Sequence, residues 1–115
     1  MNGKYILITP GVGAEVKNDG EGDKPSLEFL QKCVGGWIEH VITSRLPSDI
    51  DIYCNEEGKL NGLPYNQVGT LLYANPHDCI VGTAVIVASN AEGESLWLSD
   101  AQVNLVIHTI GEVLT

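Results

Sequence analysis

Three groupings of reactive side chains stand out along the chain. Asp49 and Asp51 sit two apart in a stretch of alternating polarity, and on a pleated strand that spacing puts both carboxylates on one face, roughly 7 Å apart. Such a pair can hold a divalent cation or divide acid and base roles. Alternate carboxylates are also how a strand keeps one face solvated, and no histidine or third acid follows at a chelating interval. His77-Asp78-Cys79 sets an imidazole, a carboxylate and a thiol side by side. Neighbours on an extended chain point to opposite sides, so a cysteine-histidine site would have to recruit partners from elsewhere in the fold. Gly11-Val12-Gly13 follows a predicted strand, where a phosphate loop would sit, but Val16 occupies the place of the third glycine and no Gly-Lys-Ser/Thr is present. Asp19-Gly20-Glu21-Gly22-Asp23 has the composition of a calcium loop without its ligand spacing. His40, His77 and His108 are too far apart in sequence to share a site unless folding assembles one. No metal or cofactor is expected, and no residue is assigned a catalytic role.

Binding chemistry is better represented. In Gly35-Gly36-Trp37 one glycine suffices to end a helix, so Gly36 leaves room for a backbone or ligand to approach closely. Trp37 beside it offers either a planar platform or an edge-packing ring.

The charge balance narrows the partners. The 115 residues carry 6 Lys+Arg against 15 Asp+Glu, a formal net charge of −9, which repels phosphate backbones and anionic headgroups over about a Debye length. The cations Lys4, Lys17, Lys24, Lys32, Arg45 and Lys59 are scattered singly. Direct nucleic-acid binding and membrane binding are therefore not expected. Acidic mimicry of DNA stays open as an alternative, although the carboxylates cluster rather than repeat at phosphate-like intervals. The longest apolar stretch, residues 80–88, is broken by Gly82 and Thr83 and is too short to span a bilayer. Cys33, Cys54 and Cys79 form no Cys-x-x-Cys, and read as buried thiols of a reducing, cytoplasmic protein.

The elements that must position these residues make one domain over residues 1–115, with 43% hydrophobic residues to fill its core. Residues 4–9 read as a buried strand. Residues 10–24, alternating glycine with acid, read as a flexible loop. Ser26 opens a helix with Leu27, Leu30 and Val34 on one side, closed by Gly35. Residues 37–46 are strand-like up to Pro47, and residues 49–54 alternate as a strand with one wet face. Residues 55–58 form a turn. Asn66 caps a short helix over residues 67–73, residues 79–88 form a central strand covered on both faces, and residues 95–98 pair as an edge. Ser99 and Gln102 make the capping box of a last helix carrying Val103, Val106, Ile107, Ile110 and Leu114. The predicted class is α+β: a mixed or mainly antiparallel sheet of about four to five strands, with two main helices and one short one packed on one face.

Gly35-Gly36-Trp37-Ile38-Glu39, Asn55-Glu56-Glu57-Gly58-Lys59-Leu60, Gly62-Leu63-Pro64-Tyr65-Asn66 and the run from Asp78 to Val87 together resemble the DUF3846 family. The resemblance spans residues 27–102 and leaves the acidic loop and the end of the last helix outside it. It implies a small protein of bacteria, bacteriophages or mobile elements, of the kind that acts by occupying something. The expected function is noncatalytic binding of a small nucleotide-like ligand or a host protein, by a homo-oligomer. The candidate contacts are Gly36, Trp37, Arg45, Asn55, Glu56, Lys59, Tyr65 and Asn66. Asn, Gly and Pro in this region are equally what a turn and a helix cap require. The alternatives are an acidic inhibitor of a nucleic-acid-binding host protein, and a small hydrolase with a folded-together Asp49/Asp51 or Cys79/His77 site.

Overall fold

The computed structural model describes residues 2–115. Along the chain run β1 (Gly3–Thr9), β2 (Gly13–Gly20), α1 (Leu27–Val34), β3 (Ile38–Val41), β4 (Ile50–Asn55), α2 (Gln67–Tyr73), β5 (Ala84–Ser89), β6 (Ser95–Leu96) and α3 (Asp100–Val113). The strands form one sheet in the order β2-β1-β5-β4-β3, with β6 paired to β5, and every pairing is antiparallel. The α+β class stands, with six strands.

The helices do not share a face. On β5, Val85 and Val87 point to α1, where Leu30 and Val34 meet them together with Tyr5. Ala84, Ile86 and Ala88 point the other way, against Leu72 of α2 and Val103, Val106 and Ile110 of α3. Each large aliphatic side chain buried this way contributes about 1.5–3 kcal/mol, so a central strand apolar on both sides calls for a helical layer on each. The wet face expected of β4 is covered in part: Tyr53 packs with α1 and is half-buried, and Asp51 is buried beside it, whereas Asp49 is exposed. Alternating polarity records residue type, and α1 packs on the Tyr53 end of that face regardless.

The segment expected to be a flexible acidic loop is largely a strand. Thr9-Pro10-Gly11-Val12 turns the chain, with Val12 N–H donating to the Thr9 carbonyl at 3.1 Å and Gly11 at φ 76°. Proline followed by a positive-φ glycine is the signature of a type II turn, and β2 then pairs back along β1 from Gly13 to Gly20. The far end of this hairpin is held by Trp97. Its ring lies over Gly3 and Gly20, where a Cβ would come within 2.2 and 2.5 Å of ring atoms, and its indole N–H donates to the Gly22 carbonyl. Both glycines are there because the ring leaves no space for a side chain.

Three other strands are shorter than expected, β6 ending already at Leu96. The β3 strand stops at Val41, ahead of the turns that lead to β4, and β5 starts only at Ala84, because Gly82 at φ 75° bends the chain after Val81 bridges Tyr65. The helix ends follow their sequence signals. Ser26 accepts from Phe29 N–H, Gly35 is left-handed, Asn66 accepts from Gly69 N–H, and Ser99 and Gln102 complete both halves of the capping box. Among the described residues no helix is long and apolar enough to cross a membrane. All three cysteines are free; Cys54 is buried, whereas Cys33 and Cys79 are only half-buried.

Candidate functional site

A cleft of about 250 Å³ opens beside β3 and β4 where they meet the segment between α2 and β5. Strand pairing sets Glu39 opposite Cys54. The turn after β4 swings Glu56, Lys59 and Leu60 around the opening, and Tyr73, Asp78 and Cys79 close the other side. The turn is held by internal bonds: Asn61 N–H donates to the Glu57 carbonyl and Leu63 N–H to the Gly58 carbonyl. Gly58 packs so tightly on Val81 that a Cβ would come within 2.9 Å of it.

Electrostatically the cleft is acidic. The Lys59 ammonium forms an ion pair with Asp78, which raises the Lys59 pKa and lowers that of Asp78, in each case chiefly through their mutual hydrogen bond. Glu39 and Glu56 add two further carboxylates with no second lysine or arginine in the lining, which also includes His40. The Cys54 thiol is pushed up to about 11, first by burial and then by the Glu39 carboxylate beside it, so it is protonated at neutral pH and is a poor nucleophile.

Of the residues expected to bind, the structure brings Asn55, Glu56 and Lys59 to this cleft. Asn55 is engaged internally: its amide donates to the Val34 carbonyl at 3.2 Å and its oxygen accepts from Glu57 N–H at 2.8 Å. Gly36 serves this same contact, since a Cβ there would lie 2.9 Å from the Asn55 amide nitrogen. Asn66 is only 1% exposed and ties three segments of the chain together: its amide donates to the Ile8 and Gly82 carbonyls, and its oxygen caps α2. Asn55, Gly36 and Asn66 are thereby committed to the fold. Trp37 is 63% exposed, with its carbonyl accepting from Glu56 N–H. Tyr65 is exposed next to its bridge with Val81, and Leu60 is 86% exposed at the mouth. Arg45 is exposed in the turn after β3 and does not line the cleft.

The members of each candidate hydrolytic pair have different surroundings. Asp51 faces His40, with Nε2 to carboxylate 3.3 Å, whereas Asp49 accepts from Gln102 of α3. Asp78 and Cys79 reach the cleft, but exposed His77 does not line it. Among the described residues no group of three or more His, Cys, Asp or Glu is placed to hold a metal ion. Glu39, Cys54, Leu60 and Tyr73 line the cleft without having been named as candidate contacts. In the sequence Glu39 stands only as part of the segment that carries the family resemblance, and nothing local to Tyr73 points to a site 34 residues away from it in sequence on β3.

A family model described as a domain of unknown function, DUF3846, matches residues 3–111. The chain belongs to the DUF3846 family. The match is wider than the resemblance over residues 27–102: it takes in the β1–β2 hairpin and most of α3, so the acidic segment is part of the DUF3846 domain and not an addition to it. Comparison with curated proteins and with solved structures gives no match.

Proposed function

We propose that this DUF3846 protein is a noncatalytic binding protein that occupies a partner protein, with the cleft of Glu39, Glu56, Lys59 and Asp78 receiving a basic group of that partner. The observation that carries this reading is the neutralised cation: Lys59, the one ammonium in the lining, is paired with Asp78 while two more carboxylates stand beside it. A nucleotide phosphate entering there would meet net negative charge, whereas a guanidinium or ammonium would find complementary charge. Exposed Leu60 at the mouth supplies apolar contact area of the kind protein interfaces use. The high-pKa thiol and the scattered histidines favour binding over turnover. The setting, drawn from the family resemblance, is the cytoplasm of a bacterial host, with the protein encoded by a phage or mobile element and acting as a homo-oligomer.

Thermal melting of the purified chain tests the choice. Arginine-rich peptides are expected to raise the melting temperature, because a ligand at 100 times its dissociation constant adds about 2.7 kcal/mol. The effect should weaken with added salt and be lost in Glu56→Lys. A panel of cyclic dinucleotides should leave the curve unchanged. Stabilisation by a nucleotide, or conversion of one to product, would overturn the reading.

A further inference from the structure

The outer edge of β2 is a second surface, remote from the cleft. It is the terminal strand of the sheet and pairs only with β1. Leu98 N–H donates to the Lys4 carbonyl, so Lys4 turns its carbonyl toward the β5–β6 side of β1. Along an antiparallel strand these groups alternate; Tyr5, Leu7 and Thr9 therefore turn theirs to β2, where they meet Lys17, Glu15 and Gly13. It follows that the amides and carbonyls of Ala14 and Val16 point out of the sheet, with no strand beside them. The Val16 side chain is 47% exposed, and neither Glu15 nor Lys17 has a salt-bridge partner among the described residues.

An edge with free amides pairs with the same strand of another molecule about a two-fold axis perpendicular to the sheet, which makes the contact isologous and sets each residue opposite one pointing to the same face. Centring the axis on Glu15 or on Lys17 would set like charges directly opposite, which is unfavourable. Centring it on Ala14 leaves Glu15 against Gly13 and opposes no charges. An axis on Asn18 falls where the β1–β2 register slips, between Lys17 and Gly20. With the axis at Val16, valine meets valine, and Glu15 of each copy faces Lys17 of the other. Charges on an edge strand ordinarily discourage pairing; among the registers clear of the slip, only the one centred on Val16 turns them into attractive pairs.

We propose that β2 pairs antiparallel with β2 of a second copy, centred on Val16, to form a twelve-stranded sheet. This gives the homo-oligomer proposed above a location, and it is tested apart from the cleft, because β3, whose residues line the cleft, is the opposite edge of the sheet.

The experiment is sedimentation equilibrium of the full chain and its variants over a range of concentrations, with circular dichroism as the check on folding. The wild type should dimerise. Glu15→Lys and Lys17→Glu should each weaken self-association about tenfold or more, as two attractive cross-strand pairs become repulsive. An equimolar mixture of these two variants should restore a dimer of wild-type strength, as should the double exchange within one chain. Val16→Pro removes an outward amide and leaves the β1 ladder untouched, so it should be a folded monomer. A wild type that stays monomeric at every concentration overturns the proposal. So does a dimer that all these variants leave equally tight, or a mixture of the charge variants that fails to associate.

Discussion

Replacing Asn66 by alanine separates a structural role for this residue from a ligand-binding one. Its side chain oxygen accepts from Gly69 N–H at 2.9 Å, and its amide donates to the Ile8 carbonyl at 2.9 Å and the Gly82 carbonyl at 2.8 Å. Loss of an asparagine N-cap costs about 1 kcal/mol. Each buried carbonyl left without its donor adds about 1 kcal/mol at the low end of the usual range. The low end applies because a carbonyl has a second lone pair for other partners. Asn66→Ala is therefore expected to destabilise by about 3 kcal/mol, which at about 4 °C per kcal/mol lowers the melting temperature by roughly 12 °C. Asn66→Asp sharpens the test. It keeps the cap acceptor and adds negative charge at a helix N-terminus, where charge is favourable, but it turns an oxygen toward two carbonyls. Its cost at pH 7 should at least equal that of alanine. Urea unfolding followed by circular dichroism gives both values. A loss well below 1 kcal/mol for alanine, or an aspartate variant as stable as the wild type, would refute the assignment of Asn66 to the fold.

Two further predictions concern the packing. Gly20→Ala forces a methyl into the Trp97 ring and should destabilise by about 1–3 kcal/mol, as overpacking does; in a Trp97→Ala background the same change should cost little, a coupling that a double-mutant cycle of melting curves measures. Cys33 and Cys54 are both pushed up to about 11, by burial first, with Asp19 acting second on Cys33 and Glu39 on Cys54. A raised thiol pKa keeps the proton on at pH 8 and leaves about 0.1% thiolate. Their alkylation in the native protein should then be about tenfold or more slower than that of a free thiol, the lost thiolate being offset in part by its greater nucleophilicity, and should rise to the ordinary rate in urea; native rates equal to the unfolded ones would contradict the burial.

Much of this molecule is written locally. Ser26, Asn66 and the Ser99/Gln102 box each name a helix start because the capping bond spans only two or three residues, and the apolar run ending at Ala88 names a strand covered on both faces. Even the hairpin carried its signal in Pro10-Gly11, hidden by the polarity of β2, whose pairing rests on backbone bonds to β1 and on the indole seated across Gly3 and Gly20. Other features required the folded chain. Residue type cannot say whether an asparagine amide will meet a ligand or a carbonyl 58 positions away, nor that Lys59 spends its charge on Asp78. Nor can it say that α1 crosses to the opposite face of the sheet from α2 and α3. Periodicity and caps act over a turn of chain, whereas charge neutralisation, burial of polar groups and the choice of sheet face depend on which distant segments are brought together. The sequence determined the helices with their caps and the central strand, and the tertiary contacts decided the second strand, the strand ends and which polar side chains remained free to bind.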